Sequence, residues 1–105
     1  MTYVLLVFAG ALLCNCIPHL AAGLRGEAFP TPFGSPPGKG LSSPVINFVW
    51  GTANLLIGIS LLPRLADADP QLGRLALLVG FLAIGISTSL HFGRVRASRH
   101  DEDRP

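Results

Sequence analysis

Three stretches of this chain contain no lysine, arginine, aspartate or glutamate: residues 3–24, 45–62 and 75–92. A helix needs about 20 apolar residues to cross a bilayer core, with a working range of roughly 17–25, and all three stretches qualify. A soluble domain carries about 25% charged residues. Here the share is 13%, and the deficit is concentrated in those three blocks rather than spread through a core. The expected fold is all-α, a three-helix transmembrane bundle in a single domain, since 105 residues leave room for one only. The boundaries read as helix 3–24, hairpin 25–43, helix 44–62, short loop 63–74, helix 75–93, and a polar basic tail 94–105 expected to be disordered.

The first block lacks the basic flank of a secretory signal and runs past Pro18 and His19 without a small-x-small cleavage site, so it reads as a retained helix. Orientation follows from lysine and arginine. The hairpin and tail share one side of a three-span protein and hold Arg25, Lys39, Arg94, Arg96, Arg99 and Arg104, whereas the other side holds Arg64 and Arg74. The positive-inside rule then places the N-terminus outside and the hairpin and C-terminus in the cytoplasm, as in a bacterial inner membrane. A net charge of +2 is too small to indicate nucleic acid. A basic rim beside a membrane points instead to lipid headgroups as partners.

Polar residues inside the apolar blocks are few, and they fall on stripes. Asn15 and His19 lie four apart on one face of the first helix, and Pro18 between them is expected to kink it. Cys14 and Cys16 fall on nearly opposite sides of a helix, a spacing that suits neither a disulfide nor a zinc clamp, so they read as small buried residues. On the second helix Asn47, Gly51, Asn54 and Gly58 recur at steps of four, three and four, with Trp50 beside them. Small residues admit close helix approach and amides seek interhelical partners, so this stripe reads as a packing seam. The third helix repeats the pattern with Ala76, Gly80, Ala83 and Ser87, continued by His91. Stripes on more than one face leave a monomer little to bury, which implies a homo-oligomer or a larger membrane complex.

The hairpin holds Pro30, Pro32, Pro36 and Pro37 with Gly26, Gly34, Gly38 and Gly40. Proline stiffens such a segment, and Phe29 and Phe33 are expected to anchor it onto the helix ends as a structured cap. GSPPGKG is not a phosphate loop: three residues rather than four separate Gly34 from the GK pair, and Gly40 rather than Ser or Thr follows Lys39. What remains is Ser43-Pro44 as a helix cap, with Arg25, Lys39 and Ser43 as a candidate set for an anion such as a lipid phosphate. Asp67 and Asp69 alone make no metal site and read as a turn and helix start.

Topology brings His19, Asn47 and His91 to one end under the hairpin, so a pocket of Asn15, His19, Asn47, Trp50, Asn54 and His91 is the constellation to test. Two readings compete. In one the histidines bind something: a bis-histidine haem, a metal, or a small solute or lipid. In the other they hydrogen-bond loop carbonyls and fasten the cap. No catalytic residue and no metal ligand is assigned.

The run PHLAAGLRGEAFPTPF followed by PPGKGLSSPVINFVWGTANLLIG resembles a signature of small uncharacterised bacterial multi-pass membrane proteins. The likeness covers residues 18–58. It implies a common hairpin and no activity. The leading expectation is a non-enzymatic accessory or assembly subunit of a membrane complex. An oligomeric minimal transporter is the alternative, and a haem-binding subunit comes third.

Overall fold

The three charge-free blocks become the three long helices of a computed structural model, which describes residues 1–104. Helix α1 spans Thr2–Leu24, α2 Pro44–Leu61 and α3 Pro70–Glu102. A 3-10 helix, Leu62–Asp67, continues α2 toward α3. Each of the three long segments is apolar and long enough to cross a membrane. Their outer surfaces fit that reading: Val49, Leu56 and Ile57 on α2, and Leu78, Leu82 and Ile86 on α3, are exposed. Large contiguous apolar surfaces on a single chain mark contact with a membrane or with another protein.

Helix α1 is the centre. Both α2 and α3 pack along it, and they scarcely touch each other. Glycines permit the two crossings. A Cβ on Gly80 would strike the Val7 carbonyl, and one on Gly10 would strike the Leu77 carbonyl, so α1 and α3 meet backbone to backbone. Between α1 and α2, a Cβ on Gly51 would lie 2.8 Å from Leu20, and one on Gly58 would lie 3.0 Å from Leu13. The seam read on α2 is therefore present as expected: Asn47, Gly51, Asn54 and Gly58 are its buried residues.

Several expectations need correction. The fold is helical but not purely so, because the hairpin carries a small antiparallel pair, β1 (Phe29–Pro30) with β2 (Leu41–Ser42). The connector expected over residues 63–74 is shorter: the Asp69 carboxylate caps α3, accepting from the Gln71 and Leu72 amides, and Pro70 occupies the first turn. The tail expected to be disordered is instead the end of α3, helical to Glu102. At about 1.5 Å per residue the 33 residues of α3 extend about 50 Å, well beyond a hydrocarbon core of about 30 Å. The α3 stripe is also turned. Gly73, Ala76 and Gly80 are buried and Ile84, Thr88 and His91 half-buried, while Ala83 and Ser87 face outward. The packed face is rotated by about a fifth of a turn from the one the small residues suggest. Ser87 is not a packing residue within the single chain.

Candidate functional site

The site lies where the hairpin covers one end of the bundle, and it is built from backbone turns upward. α1 ends in a Schellman arrangement: the Glu27 amide donates to the Ala22 carbonyl (2.8 Å) and the Gly26 amide to Gly23 (3.2 Å). Gly26 takes the left-handed φ of +70° that this turn requires. At the other end of the hairpin Ser43 caps α2, accepting from the Ile46 amide at 3.2 Å, with Pro44 at the first helical position. Between these ends Thr31 is buried. Its carbonyl accepts from the Gly34 and Gly38 amides, and its hydroxyl lies 2.5 Å from that of Ser42 on β2.

Asn47 ties this cap to the bundle. Its side chain is fully buried, and Nδ2 donates to the carbonyls of Phe29 (3.0 Å), Ser42 (3.2 Å) and Ser43 (3.1 Å). With Nδ2 committed as donor, Oδ1 accepts from His19 Nδ1 at 2.8 Å, which assigns the proton of His19 to Nδ1. His91 holds the opposite side of the hairpin, Nε2 donating to the Gly38 carbonyl at 2.7 Å. Gly38 has φ +74°, another conformation that favours glycine. Arg99 Nη2 donates to the Lys39 carbonyl, so the protruding end of α3 also grips the hairpin.

Aromatic rings fill the space between these polar ties. Phe29 stands edge-on to His19 (5.5 Å between ring centroids) and packs on Phe92 at 4.7 Å. Phe33, otherwise exposed, lies edge-on to Trp50 at 5.3 Å. Both phenylalanines are anchors, as expected. Trp50 Nε1 is buried without a hydrogen-bond partner among the described residues.

The structure thus brings all the expected pocket residues to the bundle and the end beneath the cap, but it joins them in pairs rather than around an open space. His19 is bonded to Asn47, Asn15 Nδ2 donates to Asn54 Oδ1 (3.1 Å), and Asn54 Nδ2 returns to the Trp50 carbonyl (2.8 Å). His19 and His91 have separate partners, with Phe29 edge-on to the first and Phe92 edge-on to the second. These residues do not fit a bis-histidine haem. No cluster of three or more His, Cys, Asp or Glu side chains suited to a metal occurs among the described residues. Cys14 and Cys16 are free and buried.

The expected anion set does not assemble either. Arg25 forms a bidentate pair with Glu27, Nη2 donating to Oε2 at 2.7 Å. That hydrogen bond holds the Glu27 carboxyl below its ordinary range and raises Arg25. Ser43 is used as the helix cap. Lys39 instead lines a cleft of about 700 Å³ with His91, Arg94 and Arg99. Arg25 lines a separate one of about 610 Å³ with Phe29, Phe92 and Arg96. Sequence reasoning missed Thr31, Ser42, Phe92 and Arg99. Thr31 and Ser42 signalled only their place in the hairpin and Phe92 only its place at the end of the third charge-free block, while Arg99 had been read as one charge of the basic rim and not as a tie to the hairpin. No known protein family, curated protein or solved structure matches the chain.

Proposed function

We propose that this protein is a non-enzymatic integral membrane protein that serves as an accessory or assembly subunit, presenting a rigid cap and a basic helical rim at the cytoplasmic face of a bacterial inner membrane. The observation that carries this reading is the pairing of Asn15 with Asn54 and of His19 with Asn47 under the cap, which leaves Trp50 Nε1 as the one buried side-chain donor there without a partner among the described residues. A transporter needs polar groups free to exchange partners with its cargo, and an enzyme needs reactive ones. Here the buried amides and His19 are spent on internal bonds that fix backbone carbonyls of the hairpin. The rigid platform this creates suits docking rather than turnover. Apolar outer faces on α2 and α3 leave room for lipid or for the helices of a larger complex.

The test is purification of the intact chain from its native membrane in a gentle detergent, followed by native mass spectrometry. A stoichiometric foreign protein that is lost in Gly51→Leu, at the α2 seam, is the expected result. A homo-oligomer alone, with solute flux in liposomes that depends on His19 and His91, would replace this reading with the transporter.

A further inference from the structure

The geometry points to a phosphate-binding site in the cleft between the hairpin and the protruding end of α3, with Lys39, Arg94 and Arg99 as its cationic groups. Phospholipid headgroups and soluble phosphate compounds are the two sources of that chemistry. The cleft is open at the surface, has a volume of about 700 Å³, and has two walls. The hairpin supplies Lys39 and Leu41. The other wall is one face of α3, because His91, Arg94, Val95, Ser98 and Arg99 recur at helical spacing.

Charge within the cleft is ordered along that face. Glu102 is the only carboxylate lining it and lies about 12 Å along the helix beyond Arg94, one turn past Arg99. The inner part, between Lys39 and Arg94, is cationic. Unlike Arg25, neither Lys39 nor Arg94 forms an ion pair among the described residues. Arg99 is fixed by its bond to the Lys39 carbonyl, which ties the two walls together and leaves its remaining guanidinium donors available.

Three details restrict the ligand. The Lys39 and Gly40 amides both donate to the Pro36 carbonyl, so the loop backbone offers no cradle and recognition falls to side chains. Arg94 follows the charge-free block 75–92 by two residues, which is headgroup depth if α3 crosses a bilayer. Leu41 and Val95 give the cleft an apolar flank beside its charges, suited to the acyl chains that adjoin a lipid phosphate. The lipid source rests on the membrane reading above, whereas binding of phosphate itself does not.

The test uses the intact chain, delipidated in mild detergent and offered phosphatidylglycerol or phosphatidylcholine at equal concentration, with native mass spectrometry reading the lipid retained. The expected result is retention of phosphatidylglycerol about ten-fold above phosphatidylcholine. That preference falls to parity in K39Q/R94Q and survives in R64Q/R74Q, which removes equal charge at the opposite end. Should K39Q/R94Q fail to fold, the single variant Arg94→Gln at an exposed position makes the same comparison. Displacement of the lipid by millimolar inorganic phosphate assigns the site to soluble phosphate compounds, and lipid retained against it assigns the site to headgroups. A preference that survives K39Q/R94Q, or that R64Q/R74Q abolishes equally, overturns the proposal. So does the absence of both lipid preference and phosphate binding. Whether a protein partner co-purifies does not enter any of these outcomes.

Discussion

Replacing Asn47 by leucine keeps the branching of the side chain and removes at once the bond to His19 and the two N–H donors that Nδ2 shares among three carbonyls. Two of the carbonyls released belong to the hairpin strands, and the Nδ1–H of His19 loses its partner in a buried place. Unsatisfied buried groups cost about 1–3 kcal/mol each, so Asn47→Leu is expected to destabilise the cap by about 3 kcal/mol. Stepwise unfolding in mixed micelles, with hydrogen exchange of the hairpin amides, measures it. Asn54→Leu breaks only the bond to Asn15 and one to its own helix, and the expected loss is about 1 kcal/mol. A second expectation concerns Glu27. Its carboxyl titrates below the ordinary range because Arg25 hydrogen-bonds the charged form. The pair's contribution to hairpin order is therefore complete above the ordinary carboxylate pKa and is lost as pH falls through the lowered value. In a carbon-detected NMR titration, Arg25→Gln should return the Glu27 midpoint upward.

At the scale of elements, the glycine crossings set tolerance. Gly80→Val drives a side chain into the Val7 carbonyl and should separate α1 from α3 at a cost of about 3 kcal/mol, the upper range for overpacking. Gly93→Ala, on the same helix, meets nothing within 4 Å and gains helix propensity, so stability should rise by up to about 1 kcal/mol. Thermal unfolding of the two variants side by side checks both signs. The α2 seam was legible in the sequence because both asparagines and both glycines of that helix fall on one side, so periodicity fixes the face. On α3 small residues occur on several sides, and Ala83 and Ser87 continue a four-three-four rhythm that faces outward. Only the backbone approach of Gly80 to Val7 picks the true face. The end of α3 was misread for another reason. Residues 94–102 have the composition of a solvated tail, but they extend a helix already nucleated, and adding a turn is far easier than starting one. The hairpin's stiffness was legible from its prolines. Its internal clasp of Thr31 with Ser42 was not, because two small hydroxyl residues eleven apart carry no pattern.

For the whole molecule, the proposed orientation gives a direct expectation. A cysteine placed at Ser98, on the protruding end of α3, should react with a membrane-impermeant maleimide only after the inner membrane is opened. One at Ala66, in the 3-10 connector, should react in intact spheroplasts, while Cys14 and Cys16 stay silent because they are buried. The reverse labelling pattern would invert the topology and put the basic cleft outside. The central place of α1 has a consequence for how the protein is made. α2 and α3 have almost no surface for each other, so each must find α1, and α1 is the first of the three to leave the ribosome. Synthesis order thus coincides with assembly order: the template is already waiting when each later segment emerges. The hairpin is half closed by Asn47 once α2 arrives, and it is latched by His91 and Arg99 only when the last segment has been delivered. A gene rearranged to encode α1 last would specify the same contacts, yet leave α2 and α3 with nothing to hold until synthesis ended.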